Sequence, residues 1–318
     1  MTYILLIVGF VLLIKGADYF VEGASNIAQL LKVPPILVGL TIVAFGTSAP
    51  EATVSIIAAL EGSSDVSLGN VVGSNILNIT LVIGITAIIN PLKVESETIR
   101  KEIPFTLLAS IVLWVFISDA ALQNLGTNLI TRSEGIILLL FLSIFLYYIY
   151  EVARNSRSSD SVEEVQNRDI TWGKNLVFTV GGMAAIIFGG DMVVDNATQI
   201  ALSIGMSETL VGLTIVAIGT SLPELVTSIT AALKKQTEIA LGNIVGSNIF
   251  NILFVLGTSA TIAPLAVDNR IFTDVVCMII LTVVLLIFSR TKYKISKVEG
   301  AVLVAIYTAY LIYIILRN

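Results

Sequence analysis

Apolar runs of about 20 residues, the length that crosses a bilayer as a helix, recur from one end of the sequence to the other with short polar connections between them. About ten spans are predicted, near residues 3–27, 36–60, 66–90, 102–118, 133–151, 174–198, 209–233, 239–263, 271–289 and 297–316. The composition agrees. Of 318 residues 56% are hydrophobic and only 13% charged, with a mean hydropathy of +0.94, far from the balance of a globular chain. The expected fold is an all-α integral membrane protein. The first run, "YILLIVGFVLLIKGADYF", has no basic leader and no small-x-small cleavage site, and Lys15 and Asp18 interrupt it. It therefore reads as a first span and not as a signal peptide. Lys15 and Asp18, one turn apart, are expected to pair with each other.

Basic residues set the orientation. With these spans, one side collects Lys32, Lys93, Arg100, Lys101, Arg154, Arg157, Arg168, Lys174, Lys234, Lys235, Arg290, Lys292, Lys294 and Lys297, and the other keeps Arg132, Arg270 and Arg317. A split of about fourteen to about three places the richer side in the cytoplasm and both termini outside the cell membrane, and it requires an even number of spans.

The chain repeats itself. "LVGLTIVAFGTSAPEATVSIIAAL" pairs with "LVGLTIVAIGTSLPELVTSITAAL", and "LGNVVGSNILNI" with "LGNIVGSNIFNI", at the one offset that carries Gly46 onto Gly219. Roughly 30 of about 49 positions are identical without a gap, far more than apolar composition produces. Five spans per half is an odd number, so the second half enters the membrane in the opposite sense, the inverted repeat common among secondary transporters. The expected organisation is a first five-helix repeat over 1–150, a solvated cytoplasmic linker over 151–172, and a second, inverted repeat over 173–318.

Within each repeat sits a costly motif, "GTSAPE" at Gly46 to Glu51 and "GTSLPE" at Gly219 to Glu224. Glu51 and Glu224 fall near the middle of their spans, where an ionisable group costs at least about 2.5 to 3.5 kcal/mol. Pro50 gives no N–H to the Gly46 carbonyl, so the helix should break around Gly46 to Ser48 and restart near Pro50. Such backbone is tolerated at membrane depth only when buried in protein or lining a wet cavity. Glu51 then lies in the first turn of the restarted helix, where the dipole favours negative charge. On the partner spans, Ser67, Asn70, Ser74 and Asn78 share one helical face, and Asn243, Ser247 and Asn251 repeat the pattern. Gly69, Gly73, Gly242 and Gly246 should let the backbones approach closely. Carboxylate, amide, hydroxyl and carbonyl oxygens meeting at mid-membrane form the ligand set of a hard cation such as calcium or sodium.

Other chemistries drop out. Histidine is absent and Cys277 is the lone cysteine, which removes the usual zinc, copper and haem ligand sets, a disulfide framework and an imidazole proton relay. No basic patch points to nucleic acid, and no Walker motif to ATP-driven pumping. No nucleophile-base pair accompanies the glutamates, so no enzyme is expected. A passive cation channel would also use mid-membrane glutamates, but twin broken helices in an inverted repeat favour alternating access.

At these residues the sequence resembles the cation/calcium exchanger superfamily, most closely the sodium/calcium exchangers with two alpha repeats. The resemblance covers both repeats. It implies that Glu51 and Glu224 are the central calcium ligands, helped by Thr47 and Thr220. It further implies flanking sodium sites built from the Ala44 and Ala217 carbonyls, Ser48, Ser221, Ser74 and Ser247, with Asn78 and Asn251 completing the centre. In the family the first and sixth helices, here near 3–27 and 174–198, slide against the core. The function so implied is a secondary active antiporter exchanging sodium for calcium; the alternative is a proton/calcium or potassium-dependent sodium/calcium exchanger. Some relatives, the potassium-dependent branch included, carry Asp where this chain has Asn251, which weakens the potassium-dependent alternative. The expected partners are calcium and sodium ions and the lipid bilayer, with no cofactor, no nucleic acid and a monomeric state.

Overall fold

The computed structural model describes residues 2–122, 126–158, 171–205 and 217–317, and nearly all of them are helical. A backbone in hydrocarbon must satisfy its polar groups within the chain, and helices do so segment by segment. The first half runs α1 (Thr2–Leu31), α2 (Pro35–Val38), a π-helical turn (Gly39–Val43), α3 (Ala44–Thr47), α4 (Ala49–Leu60) and α5 (Ser64–Leu77). A second π-helical turn (Asn78–Val82) leads into α6 (Ile83–Ile89), followed by α7 (Ser96–Arg100), α8 (Glu102–Phe116), α9 (Asp119–Leu122) and α10 (Arg132–Ser158). The second half runs α11 (Trp172–Ser203), α12 (Ala217–Gly219), α13 (Leu222–Leu233), α14 (Thr237–Phe250), a third π-helical turn (Asn251–Leu256), α15 (Gly257–Ile262), α16 (Asn269–Arg290) and α17 (Lys297–Arg317).

Among the described residues, seven helices are long and apolar enough to cross a membrane, or eight when the bent pair Pro35–Thr47 and Ala49–Leu60 counts as one span. The predicted fourth span is α8, of 15 residues. The predicted seventh is described only from Ala217 onward, and its beginning, 209–216, lies outside the described residues. So does most of the predicted linker, 159–170; its first part, Glu151 to Ser158, continues α10 as helix instead of starting a connection.

The halves interlock. α14 is buried along Ile239–Phe250 and crosses the first half's broken helix, where a Cβ on Gly242 would stand 3.0 Å from the Gly39 Cα. A Cβ on Gly246 would stand 2.7 Å from the Leu40 carbonyl, so the predicted close approach is seen on this side. Gly69 and Gly73 meet no described residue closely, and 206–216, the sequence counterpart of the segment that packs on Gly242 and Gly246, lies outside the described residues. Two short antiparallel strand pairs, unexpected in an all-α reading, also tie half to half: Leu92–Lys93 with Lys294–Ile295, and Leu129–Ile130 with Leu265–Ala266. Around this core, α1, α10, α11 and α17 turn Ile7, Leu140, Val177, Ile312 and other large apolar side chains outward.

Candidate functional site

The predicted break is there. α3 and α4 meet at Ser48, whose backbone leaves the helical region at φ −82° and ψ 7°, and the span bends by 48°. Pro50, without an N–H, follows at once and places Glu51 in the first turn of α4. The second half repeats it: Ser221 stands at φ −91° and ψ 6°, and Glu224 lies in the first turn of α13. At the break the Ala44 carbonyl accepts from the Ser48 N–H at 3.0 Å and from the Thr47 hydroxyl at 3.3 Å.

Both carboxylates are fully buried, and each is held from the other half. The Ser48 hydroxyl donates to Glu224 Oε1 at 3.0 Å, and the Ser221 hydroxyl to Glu51 Oε1 at 2.9 Å. Ser74 reaches Glu51 Oε1 and Ser247 reaches Glu224 Oε1, both at 3.4 Å. The second oxygen of each carboxylate, Oε2, has no hydrogen-bond partner among the described residues. Hydrogen bonds to ionised groups are the strong ones, and an orphaned buried oxygen is costly. The arrangement therefore offers two carboxylate oxygens to a cation.

The amides extend the pattern. Asn78 and Asn251 are fully buried, and each begins a π-helical turn, a distortion concentrated at functional sites. Among the described residues neither Asn78 side-chain atom has a partner, and Asn251 Oδ1 has none either, while its Nδ2 donates to Asn75 Oδ1 at 3.1 Å. Thr47 stands beside the Glu224 carboxylate of the other half. Thr47 donates to Asn243 Oδ1 at 3.0 Å and Thr220 to Asn70 Oδ1 at 3.2 Å, and those asparagines fix the backbone carbonyls of Glu224 and Glu51. Ala44 is buried in α3, and Ala217 opens α12.

Two further asparagines join the centre without having been anticipated. Asn75 donates to the Asn248 carbonyl at 3.2 Å, and the Asn248 side-chain amide is buried without a partner among the described residues. Their signal was present, since "GSN" occurs at the same place in both repeats. One pairing is corrected: Asp18 does not bond Lys15, which is exposed, but the ammonium of Lys234, 2.7 Å away.

A cavity of about 460 Å³ reaches this centre. Asn70, Ser74 and Thr220 line its inner part, and Asp65, Asp268 and the Asp274–Arg317 pair its other end. Among the described residues no group of three or more His, Cys, Asp and Glu side chains comes together, so the donors around the two glutamates are neutral hydroxyls and amides.

The model of the family described as sodium/calcium exchanger protein matches residues 1–151 and 174–316. The chain is 42% identical over 316 residues to the putative antiporter CaxA of Alkalimonas amylolytica, covering 96% of each chain. It is 34% identical to the sodium/calcium exchanger MaX1 of Methanosarcina acetivorans, covering 98% of this chain and 97% of that one. A solved structure of the sodium-calcium exchanger NCX_Mj, soaked with sodium and calcium, superposes with a TM-score of 0.82 at 31% identity, over 97% of this chain and 96% of that one.

Proposed function

The chain belongs to the sodium/calcium exchanger family of membrane transporters, and from that premise we propose that it is a secondary active antiporter that exchanges sodium for calcium across the cell membrane by alternating access. The observation that carries this reading is the pair Glu51 and Glu224, fully buried, each with one oxygen fixed by a serine of the opposite half and one oxygen without a hydrogen-bond partner among the described residues. Two carboxylates balance one divalent cation, and hydroxyl and amide oxygens complete the coordination that hard cations prefer. In this proposal Glu51 and Glu224 bind calcium, with Asn78, Asn251, Thr47 and Thr220 around them. Sodium ions use Ser48, Ser74, Ser221 and Ser247 and the carbonyls of Ala44 and Ala217. The chain works as a monomer without a cofactor.

The same reading takes the architecture as ten spans in two inverted five-helix repeats, 1–150 and 173–318, with the linker 151–172 in the cytoplasm and both termini outside. Its supports are the odd span count per half and the sidedness of the basic residues. The test is calcium uptake into proteoliposomes holding the purified chain. An imposed sodium gradient should drive uptake; uptake driven by a pH gradient alone would assign proton coupling, and calcium flux without any counter-ion would make the protein a channel.

A further inference from the structure

α1 and α11 lie antiparallel and touch at three levels. A Cβ on Gly9 would stand 3.0 Å from the Gly189 carbonyl, one on Gly16 2.9 Å from that of Gly182, and one on Gly23 2.9 Å from that of Asn175. The internal repeat continues into these helices: the offset that carries Gly46 onto Gly219 also carries Asp18 and Glu22 of α1 onto Asp191 and Asp195 of α11. Because the helices run antiparallel, the two acid pairs stand toward opposite ends of one packed unit.

The core helices that end each broken span differ in sign. Lys234 caps the C-terminus of α13, and the aligned residue, Glu61, caps that of α4. The dipole favours the lysine there and opposes the glutamate. These two ends face opposite ways. Near the end of α13, the Ala232 carbonyl accepts from Asn90, where α6 finishes, whereas α4 turns directly into the start of α5. The Lys234 ammonium lies 2.7 Å from Asp18 Oδ1 and 3.8 Å from Glu22 Oε2, and donates to the Asp18 carbonyl at 2.6 Å. α1 packs along α13. Among the described residues α11 has no comparable packing on α4, and Asp191 and Asp195 form no ion pair. Residues 206–216 contain no Lys or Arg that could supply one.

We infer that Lys234 is a latch that holds the α1 end of the α1–α11 unit against α13 at one membrane face, while Glu61 leaves the opposite face unlatched, so that the resting protein favours one access state. This rests on the alternating-access reading. The favoured state is the one closed on the Lys234 side. Leaving it breaks the Lys234 contacts, and the state closed on the other side gains no matching bond, because Glu61 there has the same charge as Asp191 and Asp195.

The test uses thiol labelling in liposomes. In a Cys277→Ala background, Ser25→Cys sits one turn beyond Glu22, at a position 7% exposed, and should label slowly. Adding Lys234→Gln should speed labelling about two- to five-fold, the range a partly exposed ion pair supports. Lys234→Arg should leave it slow, and Glu61→Lys, which gives the other face a cation of its own, should speed it. In transport, Lys234→Gln should lower the half-saturating calcium concentration on the Lys234 face and raise it on the other, a two-sided shift that unfolding does not produce. Equal labelling in the parent, Lys234→Gln and Glu61→Lys overturns the latch. A parent that fails to exchange sodium for calcium would defeat the transport reading instead, and labelling would still report the latch.

Discussion

Replacing Glu224 with Gln tests the site most directly, because the shape stays and one charge goes. The amide oxygen can still accept from Ser48, which donates to Glu224 Oε1 at 3.0 Å. A buried charge is removed at the same time, so the fold should hold or gain stability. At an effective dielectric of about 20, a unit charge about 4 Å from a divalent ion is worth roughly 8 kcal/mol, and about 4 kcal/mol facing a monovalent ion. Desolvation takes back much of both, and breaking a buried pair by removing one partner costs about 3–5 kcal/mol. Taking about 4 kcal/mol for calcium and half that for one sodium ion, binding should weaken about a thousand-fold for calcium and about thirty-fold for sodium. Calorimetric titration of purified parent and variant with each ion, beside thermal unfolding, reads both numbers. Calcium binding within about ten-fold of the parent, or equal losses for the two ions, would refute the assignment of Glu224 as a ligand of the divalent ion.

Other outcomes follow from the same geometry. Ser48→Ala and Ser221→Ala each remove a hydrogen bond to a carboxylate, worth about 1.5–3 kcal/mol, so sodium-driven calcium uptake should fall about ten-fold or more and by similar factors in both; a loss in one alone would break the reciprocity. Asn251 donates to Asn75 Oδ1 at 3.1 Å, and an ionised Asp at 251 has no proton to give, so Asn251→Asp should make exchange more dependent on pH or potassium than in the parent, with identical curves marking Asn251 as a packing residue. Ser63→Cys and Gln236→Cys occupy aligned positions of the two repeats; in a Cys277→Ala background impermeant reagents should reach the first only from outside and the second only from the cytoplasm, and labelling of both from one face contradicts the inverted repeat.

What could be read in the sequence was local chemistry and its repetition. Pro50 lacks an N–H whatever surrounds it, so the break at Ser48 and the place of Glu51 in the first turn of α4 followed from a few residues. The duplicated text then carried the same geometry to Ser221 and Glu224. Features set by how helices cross were not legible. Helical spacing gathered Ser67, Asn70, Ser74 and Asn78 on one face and passed over Asn75, which enters the site only because α5 lies against Asn248 of α14. Nothing in the residue types of "NITLV" or "NILFVL" announces a π-helical turn. Pairing Lys15 with Asp18 rested on sequence proximity, whereas in the fold Asp18 faces the end of α13. Comparing the repeats beyond residues 37–85 would have warned of this, since Asp18 recurs as Asp191 but Lys15 aligns with Phe188.

The crosswise serines bear on why such a site would exchange ions instead of leaking them. Glu51 and Glu224 each take one hydroxyl donor from the opposite half beside one from their own, so neither half holds the complete set and both carboxylates sense any shift of one half against the other. Among the described residues each keeps an oxygen with no partner, and no Arg or Lys forms an ion pair with either one. On the proposed reading an empty site therefore carries acidic groups through the membrane interior with only neutral donors around them, at the cost of a buried unpaired charge. A calcium ion removes that cost, and so does a set of sodium ions. The rearrangement between access states is then easiest when one or the other is bound, and release of one cargo leaves the site waiting for the next, which is the coupling an antiporter requires.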